Sequence, residues 1–252
     1  MSSTTWTPDA LRSSKLSGTC WRVVEAQHQI STMKITDTLA EQRVLEDLVE
    51  ETKPAIPTEC LRLNFLLSTP FRYSATNPNG SRFRRPLATE GVFYAAEHVA
   101  SAIAETAFYR TLFYAESPDT PWPTNAGEYT AFSCALKSNR VADIAREPFI
   151  EDAELYHLSD YTAAQAFADL ARSENFEIIK YRSVRDPEGR CNLALLTWKV
   201  FTKPSPVRRM SWKLHLGAQG ARALCEAPRQ SIEYDRETFA ADPRIANMRW
   251  ER

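Results

Sequence analysis

The spacing of hydrophobic and polar residues along the 252-residue chain alternates between a helical period and a strand period. Residues 37–54 place leucines and a valine on one helical face and end at a proline, which predicts a helix of about four turns. Residues 96–114 predict a second helix with one apolar stripe. A third helix is predicted to begin at Ser159, whose hydroxyl suits an N-cap, and to end near 171.

Shorter apolar runs lie between these helices and predict strands. The run 61–67 fits either a short helix or a strand. Strands and helices do not alternate regularly, so the sequence predicts an α+β fold with mixed or antiparallel sheets and flanking helices. No Gly/Ser-rich linker divides the chain, which favours a single domain. The predicted strands are 20–26, 91–95, 129–136, 176–181, 192–201, 210–216 and 231–234.

Composition excludes several classes of function. Lys plus Arg total 31 against 32 for Asp plus Glu, so no global positive field favours direct nucleic-acid binding. Five scattered cysteines without a CxxC pair, and no signal peptide or long apolar window, predict a cytoplasmic protein that does not enter a membrane. The four histidines form no i, i+4 pair, so no metal is expected. None of the seven glycines forms a GxGxxG motif or a P-loop.

An arginine-rich loop is the first candidate for chemistry. Arg72, Arg82, Arg84 and Arg85 surround a turn at 78–80. A guanidinium presents a planar fork of donors that matches phosphate or carboxylate oxygens, so such a cluster can form an anion site. From the arginines alone, a solvated turn with surface ion pairs is the simpler interpretation.

Three further residues are candidates because of their neighbours. Glu105 lies among small apolar residues, where a carboxylate must find a partner, and either a functional role or an arginine pair accounts for it. Tyr94 lies at the end of an apolar strand, where tyrosines are more often core or rim residues than ligands. Ser183 follows another strand, but without a GxSxG motif or a nearby histidine it is better interpreted as a polar loop serine.

Taken in order, Arg82, Glu105 and Ser183 resemble the arginine, glutamate and serine that give the RES-domain family its name. The surrounding segments PFRY, GSRFR, GVFYAAE, AETA and YRSVR, followed by Asn192, fit the same family. Such proteins are typically toxins of bacterial toxin–antitoxin pairs, with a fold similar to that of ADP-ribosyltransferases.

The resemblance also implies an organisation of the chain. It extends over 21–201, which is then the catalytic core. Residues 1–20 are an N-terminal extension, and residues 202–252 are a C-terminal extension expected to pack on the same domain.

The activity that the resemblance implies is cleavage of the nicotinamide–ribose bond of NAD⁺, by hydrolysis or phosphorolysis. Transfer of ADP-ribose to a protein from the same pocket is the alternative, and a non-catalytic anion-binding module is an alternative of another class. The implied partner is an Xre-family antitoxin that covers the active site, and a homodimer within such a complex is compatible with the family.

The family's site pattern assigns roles to individual residues. Many members have a Trp-Asn pair where this chain has Phe83-Arg84, so Arg84 or Arg85 could share the role of Arg82. Glu105 is expected to stabilise the oxocarbenium-like transition state. The implied catalytic residues are Glu105, Arg82, Tyr94 and Ser183, and the implied NAD⁺-binding residues are Arg72, Tyr73, Arg82, Arg84, Tyr94, Ser183 and Asn192.

Overall fold

The structure, a computed structural model, describes residues 6, 11, 13–26, 35–72, 78 and 80–252. Tyr73, one of the predicted substrate-binding residues, lies outside the described residues. The strands are β1 (Ser13–Glu25), β2 (Phe93–Ala96), β3 (Gly127–Asp143), β4 (Ile178–Arg182), β5 (Cys191–Leu195), β6 (Arg208–Gly217), β7 (Gly220–Glu226) and β8 (Arg229–Tyr234). The α-helices are α1 (Leu39–Glu51), α2 (Phe65–Ser68), α3 (Val99–Glu116), α4 (Thr162–Ser173) and α5 (Pro243–Ala246).

All eight strands belong to one sheet, in the order β1-β2-β5-β4-β3-β6-β7-β8. Strand β1 also pairs with β3, so the first five strands of this order close into a ring. Strands β6 to β8 continue from β3 as an antiparallel extension. Because β3 and β4 are parallel while the other pairings are antiparallel, the sheet is mixed, which confirms the predicted α+β class.

Helix α3 lies on the antiparallel extension and forms the main core with it. The face of α3 that contains Ala104, Ala107 and Phe108 is buried with Trp212 of β6 and Phe239 of the C-terminal segment. Alanine side chains let the helix approach the sheet closely, while the aromatic rings fill the remaining space. This packing fixes the position of α3, which also carries Glu105.

The predicted helices and strands are present, with three corrections. The strand predicted over 192–201 is shorter, since β5 ends at Leu195 and a 3-10 helix occupies Trp198–Val200. Ser159 is not the N-cap of α4; Tyr161 occupies that position, and the carboxylate of Asp160 accepts the backbone N–H of Thr162. The predicted apolar face of α1 does not enter the core, since Leu48 is 55% exposed. Helix α1 is instead supported at its start by a capping box.

Candidate active site

An open cavity of about 850 Å³ is lined by residues of β1, β2 and α3 and of the segments 80–84 and 181–185. This volume is within the range of about 300–1,000 Å³ that small-molecule sites occupy. Its charged lining consists of five arginines against two glutamates, which favours an anionic ligand. These residues are Arg22, Arg82, Arg84, Arg110, Arg185, Glu25 and Glu105.

Glu105 lies near the middle of α3 and lines this cavity. Its Oε1 accepts hydrogen bonds of 2.7 Å from the Ser183 hydroxyl and 2.7 Å from the Asn192 side-chain amide. Burial raises the pKa of Glu105 above the usual glutamate value, while these two hydrogen bonds and the charges of Arg185 and Arg82 oppose that shift. Both of these hydrogen bonds use Oε1, and neither uses Oε2.

Ser183 supports Glu105 from outside the cavity. Its hydroxyl donates to Glu105 and accepts the backbone N–H groups of Arg185, at 3.2 Å, and Asp186, at 3.1 Å. These bonds use the one donor and both acceptor positions of a serine hydroxyl. Ser183 is 3% exposed and is not among the residues that line the cavity. Ser183 therefore contacts Glu105 but does not line the cavity.

Asn192 supports the same carboxylate from the neighbouring strand. Strands β4 and β5 pair antiparallel, with Tyr181 opposite Asn192, and this pairing brings Ser183 and Asn192 to one side of Glu105. Asn192 is 2% exposed and lines the cavity. Its Oδ1 is buried and has no hydrogen-bond partner among the described residues, so it retains an acceptor for an incoming N–H or O–H group.

Arg82 is the predicted loop arginine that is held most firmly beside the cavity. Its Nη1 and Nη2 donate to the carbonyl oxygens of Leu155, at 2.8 Å, and His157, at 3.0 Å. Its guanidinium lies 4.8 Å from the centre of the Tyr161 ring. The two hydrogen bonds use two of the five N–H groups of the side chain, which leaves donor capacity for phosphate oxygens.

Tyr94 fixes the loop that carries Arg82. Its hydroxyl accepts the backbone N–H of Phe83 at 2.9 Å and lies 2.8 Å from the Ser81 hydroxyl. Burial raises the pKa of Tyr94, so the phenol stays protonated and can donate to Ser81. The base of the same loop is fixed by Gly91, where a Cβ atom would lie 2.2 Å from the carbonyl oxygen of Pro70.

The other predicted arginines divide into two groups. Arg84 is 6% exposed and lines the cavity with Arg82. Arg72 lies outside it, where its guanidinium contacts Glu50 and the carbonyl oxygen of Pro54, both at 2.7 Å. Arg85 also lies outside and pairs with Asp169. Arg72 and Arg85 therefore do not line this cavity.

Several cavity residues were not identified from the sequence. Arg185 is 5% exposed and lines the cavity. It is the last residue of the segment YRSVR, which also contains Ser183, so this segment could have identified Arg185 as a candidate site residue. Arg22 is on β1, where its Nη1 donates to the carbonyl oxygen of Tyr94 at 2.8 Å. Tyr161 and Arg110 come from separate helical segments, and no local pattern connected them with the site.

The described residues contain no group of three or more His, Cys, Asp or Glu side chains that could hold a metal ion. Within the described part of the chain, no helix has both the length and the apolar character needed to cross a bilayer.

Comparisons with known proteins place the chain in a family. A model of the RES domain matches residues 56–216, which is well over half of the chain. The comparison with curated proteins gives no match. Among solved structures, a chain in the crystal structure of the M. tuberculosis MbcT–MbcA toxin–antitoxin complex is similar, with 13% identity over 81% of this chain and 88% of that chain and a TM-score of 0.46. The protein belongs to the RES-domain family, as Arg82, Glu105 and Ser183 and their surrounding segments predicted.

Proposed function

We propose that this protein is a toxin that consumes NAD⁺ by cleaving its nicotinamide–ribose bond, through hydrolysis or phosphorolysis. Membership of the RES-domain family supports this proposal, because the resemblance carried by Arg82, Glu105 and Ser183 implies NAD⁺ as the substrate. Its NAD⁺-binding cavity is the one lined by Glu105 and the five arginines.

The observation that carries the proposal is a carboxylate held rigidly among arginines. Ser183 and Asn192 fix one oxygen of Glu105 at 2.7 Å each, while Arg82 and Arg185 line the same cavity. A site that only bound anions would gain nothing from a fixed carboxylate, because its charge opposes the arginines. A fixed carboxylate is useful where positive charge develops during a reaction.

Cleavage of NAD⁺ develops positive charge in this way. As the bond from the ribose carbon to the nicotinamide nitrogen breaks, its electron pair leaves with the ring, which becomes neutral. The ribose then takes on oxocarbenium character, as in glycoside hydrolysis. Glu105 in its ionised form stabilises that charge more strongly in the transition state than in the ground state, which is the condition for catalysis. Water or inorganic phosphate then attacks the ribose carbon.

The arginines bind the other end of the substrate. The pyrophosphate of NAD⁺ presents paired oxygens to guanidinium groups, and each charge-assisted hydrogen bond contributes about 1.5–3 kcal/mol. Arg82 and Arg84 lie on one loop and Arg22 on β1, so they can approach the phosphates from two sides of the cavity. The unpaired Oδ1 of Asn192 suits the carboxamide N–H or a ribose hydroxyl.

Nicotinamide release from NAD⁺, followed by chromatography with and without inorganic phosphate, tests the proposal. Release only with phosphate indicates phosphorolysis, and release without it indicates hydrolysis. No release at high protein concentration overturns the proposal and favours a non-catalytic anion-binding module. Incorporation of label from NAD⁺ into lysate protein identifies the alternative activity, protein ADP-ribosylation.

We further propose that a cognate Xre-family antitoxin neutralises the toxin by covering the open cavity. NAD⁺ could not enter while the antitoxin is bound. We propose that the toxin acts in the cytoplasm. Expression of this chain alone should arrest growth and lower cellular NAD⁺, and co-expression of the antitoxin should prevent both effects.

A further inference from the structure

A segment of the chain beyond the matched RES region contacts the proposed active site. The family model ends at residue 216, whereas β8 ends at Tyr234 and α5 begins at Pro243. Phe239, between them, packs edge-to-face on Phe108 of α3 at 5.6 Å between ring centres. Phe108 follows Glu105 by one helical turn, so this segment packs against the helix that carries the proposed catalytic carboxylate.

The same segment contributes a buried carboxylate, Asp242. Its side chain is 1% exposed, and its Oδ2 lies 3.0 Å from Nη1 of Arg185 and 2.8 Å from Nη2 of Arg244. Its Oδ1 accepts the backbone N–H of Arg244 at 3.0 Å and so caps the start of α5. A carboxylate this buried is stabilised only when it is paired and hydrogen-bonded, and Asp242 meets both conditions.

Arg185 connects Asp242 to the cavity. Its side chain is 3% exposed, its Nη2 donates to the carbonyl oxygen of Leu158, and its guanidinium lies 3.7 Å from the centre of the Phe108 ring. Arg185 lines the cavity, and its charge also acts on Glu105, a second carboxylate. The Arg185 guanidinium is therefore paired with Asp242 and lies in the wall of the same cavity that Glu105 lines.

We propose that Asp242 is a positioning residue, which holds Arg185 in the cavity wall and prevents it from closing onto Glu105. This inference rests on the proposed function. A buried guanidinium that loses its carboxylate partner must find another, because an uncompensated buried charge is strongly destabilising. With Asp242 neutralised, Glu105 is the carboxylate toward which Arg185 turns, and an ion pair there cancels the charge that the transition state requires.

The test compares Asp242→Asn with Glu237→Gln, a matched control that removes one exposed carboxylate from the same segment. In Asp242→Asn, we expect kcat to fall about 10-fold or more, and about 100-fold if the Arg185 guanidinium is displaced by about 1 Å. The acid limb of the kcat/KM profile should move to lower pH, because the Glu105 carboxylate then has a closer cation. Glu237→Gln should match the wild type in both respects.

A double-mutant cycle separates this role from general destabilisation. If Asp242 acts through Arg185, then Asp242→Asn should have no further effect on kcat in an Arg185→Met background. Urea unfolding of all four proteins measures the ion pair without reference to activity. The inference is overturned if Asp242 and Arg185 are coupled in the free energy of unfolding but not in kcat. It is also overturned if the acid limb of the Asp242→Asn profile stays in place or moves to higher pH.

A conservative variant covers the case in which Asp242→Asn does not fold. Asp242→Glu keeps the charge but moves the carboxylate by one methylene, so it should lower kcat while leaving the acid limb in place, and a profile identical to the wild type contradicts the proposal. A wild-type protein that releases no nicotinamide overturns the proposed function and this inference together. An active wild type whose Asp242→Asn variant behaves like Glu237→Gln overturns this inference alone.

Discussion

Replacement of Ser183 by alanine tests whether this serine supports Glu105 or takes part in the reaction. The substitution removes the 2.7 Å hydrogen bond to Oε1 and leaves the bond from Asn192 in place. A hydrogen bond to a charged group contributes about 1.5–3 kcal/mol. Since about 1.4 kcal/mol corresponds to one pH unit, the loss disfavours the ionised form of Glu105 by about one to two pH units.

The expected result is a displaced pH profile with retained activity. Glu105 must be ionised to stabilise the oxocarbenium, so activity rises as pH rises through its pKa. Burial already raises that pKa, and in Ser183→Ala the acid limb of kcat/KM should move up by a further one to two pH units or so. The plateau at higher pH should remain within about tenfold of the wild type, because Ser183 does not line the cavity.

The same substitution has a cost in stability. The backbone N–H groups of Arg185 and Asp186 lose their acceptor, and both residues are 5% exposed. Each unpaired buried donor costs about 1–3 kcal/mol, so the free energy of unfolding should fall by about 2–6 kcal/mol. Ser231→Ala, at an exposed position of β8, should change neither the acid limb of kcat/KM nor the free energy of unfolding.

Nicotinamide release between pH 4 and 9, together with circular dichroism to confirm folding, measures both effects. Complete loss of activity at every pH in a folded Ser183→Ala protein would show that the hydroxyl takes a direct part in the reaction. An acid limb that does not move would show that the bond to Glu105 has no influence on its ionisation. Either result refutes the supporting role.

Three further substitutions have distinct expected outcomes. Glu105→Gln keeps the shape of the side chain but removes its charge, so kcat should fall about 100- to 1,000-fold, whereas Glu116→Gln at the end of α3 should leave it unchanged. The pKa of Glu105 is higher in the folded protein than in the unfolded chain, so the free energy of unfolding of the wild type should fall as pH rises from the unfolded-state pKa through the folded-state pKa. Urea unfolding should show that Glu105→Gln lacks this pH-dependent fall. Tyr94→Phe leaves the N–H of Phe83 without its acceptor, so stability should drop by about 1–3 kcal/mol and KM should rise more than kcat falls; an unchanged KM contradicts the loop-fixing role. Arg72→Ala should keep kcat/KM within about twofold, since Arg72 lies outside the cavity and the substitution removes only its pair with Glu50 and its hydrogen bond to the carbonyl oxygen of Pro54; a large rise in KM would return Arg72 to the site.

The sequence predicts the elements of this fold better than their environment. Periodicity located α1, but its leucines and valine are not buried, because period 3.6 indicates which residues share a face and not whether another element covers it. Strand β7 was missed because its inward positions include small alanines, such as Ala221 and Ala223, which give little hydrophobic alternation. Ser159 has the chemistry of an N-cap, yet Asp160 supplies the acceptor.

The candidate site shows the same limit at the level of single residues. The arginines of the loop are equivalent in sequence, and distant partners decide between them: Glu50 holds Arg72 outside the cavity, while the carbonyl oxygen of Leu155 holds Arg82 beside it. Likewise, Ser183 and Glu105 were each identified, but their hydrogen bond joins residues 78 positions apart. Pairing across such separations is set by sheet topology, which local patterns do not encode.

The pairing of β1 with β3 should delay the appearance of the proposed activity during synthesis. Residues 21–25 of β1 line the cavity, but β3 begins at Gly127, roughly a hundred residues later. At about 5–20 residues per second, the ribosome needs roughly 5–20 s to bridge that interval. Until then the cavity lacks one wall, and Asp242 follows later still. We therefore expect nascent chains that have not yet been extended past Asp242 to be harmless, so the first turnover of NAD⁺ should follow synthesis of that segment.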